Sequence, residues 1–241
     1  SFIHPVNATV ARMPAKIDPF YGAPQSIYSD EFNFKAGTDG PAGYKLEVPP
    51  LHPAMAAGVV PGHGQPQRDN LGQLPWMQSV IALLRDGFHP DSPGGTVSLR
   101  DDGSPVLDYP ITDYLWQGLR KAYLTMAEIQ FAAGAEAVQA MHLDSDWYTS
   151  WNQAREAINN LPMKPHRARL FTAHQMGGCS MGTDPKTSVV NGFGEHHHIA
   201  NLNIHDASIF PTSIGANPQL SVYALAARNS SRLAQRLANS A

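Results

Sequence analysis

The sequence has 241 residues, 42% of them hydrophobic, and a formal net charge of −3. That balance offers no basic face for nucleic acid, and no apolar run approaches the ~20 residues that span a bilayer. The length suffices for one sizeable domain, or one and part of another, and the single cysteine, Cys179, excludes an internal disulfide.

The chain begins at Ser1 without a methionine or an apolar leader and reads as the interior of a longer protein. Residues 1–36 hold short extended runs, NATVARM and QSIYSDEFNF, broken by proline and glycine. Within the Gly- and Pro-rich stretch 37–73, a strand is expected around Tyr44–Val48. An irregular loop long enough for a lid or an interface should follow it. Residues 75–86 start at Pro75, stop before Gly87 and place Met77, Val80, Ile81 and Leu84 on one helical face, which predicts an amphipathic helix. GTVSLRDDGSPVLDYP predicts a hairpin turning at Asp102-Gly103. Over 113–133, Leu115, Leu119, Ala122, Met126, Ile129 and Ala133 recur at helical steps, and Gly134 closes the helix. Another helix is expected at 146–159, with Trp147, Trp151, Ala154 and Ile158 on one side. Strands mixed with helices, without strict alternation, imply an α+β fold in which helices pack on one face of an antiparallel sheet.

From about Arg169 the character changes. Leu170–Ala173 leads into the glycine-rich loop HQMGGCSMG, a strand is expected at Asn201–His205, and a long helix should occupy 218–238, with Leu220, Ala224, Ala227, Leu233 and Leu237 available for packing. Asn217 suits the N-cap of that helix and Pro218 its first turn. The free backbone donors and positive dipole end there favour negative charge. His174 has the chemistry of a general base, since an imidazole titrates near neutral pH. Placed beside the helix start, it would join a base to an electrostatic cradle.

Other chemistries fit less well. His196-His197-His198 cannot converge on one ion from an extended chain, and no Cys or acidic partners stand at zinc-like spacing, so no metal site is read here. Residues 178–182, GCSMG, match a nucleophile-elbow pattern, but Thr-Asp-Pro-Lys follows instead of a helix, which argues against Ser180. Cys179 lacks an orienting acid at useful spacing.

The segments HQMGGCSMG, SVV at 188–190 and NLNIHDASIFPTSIGANPQ, in this order, resemble the C-terminal signature of the glucose–methanol–choline (GMC) family of FAD-dependent oxidoreductases. The resemblance implies alcohol oxidation by hydride transfer to flavin, with His174 as base and Asn217 orienting the substrate oxygen. It also implies cofactor contacts from Asp206, Ala207, Pro218 and Gln219. His4-Pro5 resembles the point where family members leave the flavin domain. Residues 1–165 would then form most of the substrate-binding domain, and 166–241 would complete an α/β FAD-binding domain. The G-x-G-x-x-G turn that holds the ADP end of FAD is missing from the sequence. That N-terminal FAD-binding portion would be absent or supplied by a separate chain. The expected partners are therefore a small-molecule alcohol and the missing portion. The other reading is a non-catalytic partner or remnant that acts as an interaction module through an exposed apolar face.

Overall fold

The computed structural model describes residues 1–60 and 62–239. The first strands are β1 (Phe2–Ile3), β2 (Val6–Arg12), β3 (Tyr28–Ser29) and β4 (Tyr44–Glu47). Two short helices follow, α1 (Pro53–Val59) and α2 (Gln65–Gly72), and then β5 (Met77–Leu84). Next come β6 (Thr96–Leu99), β7 (Pro105–Asp108), α3 (Asp113–Ala132), β8 (Ala137–Ala140) and α4 (Trp151–Asn160). The last elements are β9 (Gln175–Met176) and α5 (Gln219–Ala238). Residues group into two units, one built from Pro5–Leu84 and Asp113–Phe171, the other from Ser1–His4, Arg85–Thr112 and the chain from Thr172 onward. The chain thus passes between units at 4/5, 84/85, 112/113 and 171/172.

The first unit is a five-stranded antiparallel sheet in the order β3-β4-β5-β2-β8. Residues 75–86 are not a helix. They supply β5, a central strand buried along almost its whole length. A strand covered on both faces needs apolar residues throughout, and such a run also contains helical spacings, so periodicity could not separate the two. Met77, Ile81 and Leu83 pack with Val6, Ala8, Val10, Ala56 and Val60 on one face. On the other, α3 lies close: Asn7 Nδ2 donates to the Leu119 carbonyl at 2.8 Å, and a Cβ on Gly118 would meet Ala42 Cβ at 2.7 Å.

Helix α3 buries Leu115, Leu119, Ala122 and Met126 as its spacing predicts, but Ile129 is exposed. The expected loop after β4 contains α1 and α2 instead, each with a proline in its first turn, where no amide hydrogen is needed; Pro61 lies outside the described residues. Helix α4 begins at Trp151 rather than 146, because the Ser150 hydroxyl accepts from Gln153 N–H and caps it. Strand β8 has no forerunner in the sequence reading. Its AVQA is too short to show a period.

In the second unit, β6 and β7 form the expected hairpin. Its turn has three residues: Gly103 N–H donates to Arg100 O and Arg100 N–H to Ser104 O, with Gly103 at φ +79°. The expected strand at 201–205 is reduced to an isolated Glu195–Asn203 bridge. Helix α5 attaches through a stripe rotated from the expected one. Val222, Leu225, Ala226, Asn229 and Leu233 face inward, whereas Leu220 and Leu237 are exposed. Arg228 and Arg232 both stack over Phe193, fixing the helix to the 191–205 loop.

Candidate active site

All six residues singled out from the sequence lie in the second unit. His174 is half-buried and immediately precedes β9. Its backbone is locked locally, with His174 N–H donating to Thr172 Oγ1 at 3.2 Å. Strand β9 pairs with β1 in the register Phe2–Met176 and Ile3–Gln175. Antiparallel pairing carried one residue further sets His4 opposite His174, and the two Nδ1 atoms are 3.0 Å apart. Gly177 and Gly178 then turn the chain at φ +71° and +98°, a conformation that a Cβ would strain.

Past that turn the loop is zipped onto the segment after Asp206. Gly177 N–H donates to Ala207 O, Cys179 N–H to Ser208 O and Met181 N–H to Ile209 O. Asp206 caps a 3₁₀ turn over Ala207–Ile209, its Oδ1 accepting from Ser208 N–H at 2.8 Å and Ser208 Oγ at 2.5 Å. The carboxylate is therefore occupied by its own turn. Ala207 N–H, by contrast, has no partner among the described residues. Beside it opens a cleft of about 470 Å³ lined by Phe2, Gln175–Gly177, Asp206–Ser208 and Leu107.

Asn217, Pro218 and Gln219 form the approach to α5, and here the sequence expectation shifts by one residue. Pro218 is the cap position and no side chain caps it, so Asn217 is not an N-cap. The first intrahelical bond is Val222 N–H to Pro218 O at 2.9 Å. The amides of Gln219, Leu220 and Ser221 are left at the positive end without an intrahelical acceptor. Gln219 Nε2 donates to Tyr223 Oη at 2.7 Å, so its side chain serves the helix surface.

The turn ahead of Asn217 is tied down by Thr212 Oγ1 donating to Gly87 O at 2.8 Å and Ser213 Oγ donating to Asp86 O at 2.6 Å. Asp86 is fully buried, with Oδ2 unpartnered among the described residues. Burial pushes its carboxyl from 3.8 up to about 6, against the opposing pull of hydrogen bonds from Ser92 and Gly87. The folded state thus holds this proton more tightly than the unfolded chain. The stability it contributes is fully present below about pH 4 and lost as pH rises towards about 6. Asp86→Asn should flatten the pH dependence of Tm across that window; an unchanged slope would rule Asp86 out as its source.

The histidine triplet serves its own loop: His197 Nε2 lies 3.0 Å from Ser188 Oγ, and His196 Nδ1 accepts from His198 N–H and Ile199 N–H. Sequence reasoning missed His4 as a neighbour of His174, because only strand register brings positions 4 and 174 together.

The residues fit a flavin in two respects. The unpartnered Ala207 amide borders the cleft, and the three open amides of α5 suit a group that gains negative charge. The family model described as GMC oxidoreductase matches residues 90–226. A long-chain-alcohol oxidase of Arabidopsis thaliana is 27% identical over 248 residues, covering 97% of this chain and 31% of that protein. A second from the same plant is 28% identical over 189 residues, covering 75% of this chain and 25% of its own length. The cholesterol oxidase of Acinetobacter baumannii is 41% identical over 58 residues, 24% of this chain and 10% of that protein. Among solved structures, formate oxidase of Aspergillus oryzae, described for its FAD modification, superposes with a TM-score of 0.58 at 16% identity. That match covers 95% of this chain and 46% of that one. The chain therefore spans about a quarter to a third of the alcohol oxidases it matches. Both the matched residues and the antiparallel α+β architecture lead to one conclusion: this chain belongs to the GMC oxidoreductase family of FAD-dependent flavoenzymes.

Proposed function

We propose that the full-length protein carrying this chain oxidises an alcohol, with His174 as the base and Asn217 orienting the substrate oxygen. One observation carries the reading: the loop that begins at His174 is hydrogen-bonded along Ala207–Ile209, and Gln175–Gly177 and Asp206–Ser208 of these two segments line one cleft. An imidazole and an open backbone amide thus belong to the same framework. FAD, when bound, supplies the two-electron acceptor for the hydride. Asp206 and Ala207, with Pro218 and Gln219 at the helix start, would hold it mostly through backbone atoms. His174 removes the hydroxyl proton, and as that proton leaves the carbinol C–H becomes the better hydride donor. Asn217 cannot act as a base, but its amide can donate to the developing alkoxide. The matched long-chain-alcohol oxidases make a primary long-chain alcohol the first substrate to try.

The second reading, a non-catalytic docking module, is favoured by the exposed Leu220, Tyr223 and Leu237 along α5. One experiment separates the two. Anaerobic addition of a long-chain primary alcohol to the full-length protein should bleach the flavin's visible absorption band and yield one aldehyde per flavin. A colourless protein would sink the first reading and leave the second.

A further inference from the structure

We propose that His4 is a positioning residue for His174: its buried imidazole accepts the Nδ1 hydrogen of His174 and leaves Nε2 as the nitrogen that meets the alcohol. This rests on the reading of His174 as the base. The Nδ1 atoms are 3.0 Å apart, and the rings meet edge to face at 88° with centroids 5.1 Å apart. Two lone pairs at that distance repel, so one hydrogen must lie between them. Which ring donates decides which nitrogen of His174 is basic.

His4 cannot be the charged member of the pair. It is fully buried, and burial first, then the charge on His174, lowers its pKa to about 3. A proton arriving from the substrate must therefore stay on His174. Both nitrogens of His174 then carry hydrogen, so its Nδ1–H has to point at Nδ1 of His4. His4 in turn keeps its own hydrogen on Nε2, which is buried and meets no protein acceptor among the described residues. The opposite arrangement, with His4 donating, puts the hydrogen of His174 on Nε2 and removes its capacity to take the alcohol proton there. His4 is thus the acceptor in both states of the proton-transfer step, before and after His174 is charged.

The test uses two substitutions in the full-length holoenzyme. His4→Phe keeps a planar ring and deletes the acceptor, whereas His4→Asn places an amide oxygen near the position of Nδ1. For long-chain alcohol oxidation, His4→Phe should lower kcat roughly tenfold or more with KM little changed. Independently of turnover, the pH midpoint for carbethoxylation of His174 by diethyl pyrocarbonate, read by peptide mass mapping, should fall by about one unit. His4→Asn should restore both quantities towards wild type. If His4→Phe loses its flavin, His4→Leu serves as the acceptor-free variant. Wild-type behaviour of the acceptor-free variant, or equal impairment of both variants without a shift in the His174 midpoint, overturns the proposal. A holoenzyme that oxidises no alcohol refutes the proposed function instead, and the carbethoxylation profile still decides the role of His4.

Discussion

Replacing His174 with alanine in the full-length holoenzyme should lower the rate of alcohol-dependent flavin reduction by about 10²–10⁴-fold, the usual contribution of a positioned general base. Flavin content should be unchanged, because His174 meets the cleft framework through its backbone and through His4 rather than by filling a core position. Anaerobic stopped-flow reduction with a long-chain alcohol isolates the chemical step from reoxidation. The deficit should shrink at high pH, where solution base replaces the missing imidazole. His174→Gln should be nearly as slow, since an amide keeps a hydrogen-bonding group but cannot carry the proton. A variant reducing its flavin within a few-fold of wild type would remove His174 from the mechanism.

Gly43→Ala should have the largest effect on stability, roughly 3 kcal/mol, read as a fall in Tm of the full-length protein. A Cβ at Gly43 would overlap the Asn33 carbonyl oxygen and lie 2.8 Å from its carbonyl carbon. Both atoms belong to backbone in the turn ahead of β4, where Tyr44 N–H donates to Phe32 O at 3.2 Å. No side chain can rotate away to make room. The contrast is Gly58 in α1, where a Cβ would meet nothing within 4 Å. Gly58→Ala should raise stability by about 0.5–1 kcal/mol by removing backbone freedom from the unfolded chain. Equal Tm values for the two alanine variants would contradict the steric argument.

How far the sequence could be read varies with the kind of signal. The family signature carried the function class, because HQMGG and HDASIFPTSIGANPQ lie in ordered succession and the loop and segment they mark are hydrogen-bonded together. Helix α3 was legible because twenty residues of one period exceed what a strand can hold. The β6–β7 hairpin was legible from Asp-Asp-Gly, since glycine alone readily adopts the positive φ its turn requires. Strand β5 was not, because the short, mostly apolar run MQSVIALL satisfies helix and central strand alike. The inward stripe of α5 was also misassigned. A buried Asn229 and stacked Arg228 and Arg232 hold it, and a search for leucines does not detect such contacts.

By itself, the sequence determined the α+β class, the GMC membership and the residue types able to handle a proton and a developing negative charge. Local propensity and ordered motifs record these because they depend on neighbours in the chain. Only the tertiary structure decided that β5 is central and that Pro218 rather than Asn217 occupies the cap of the last helix. It alone set His4 against His174, 170 residues away. Those outcomes depend on strand register and burial, which are settled by groups distant in sequence competing for the same hydrogen bonds and the same apolar space.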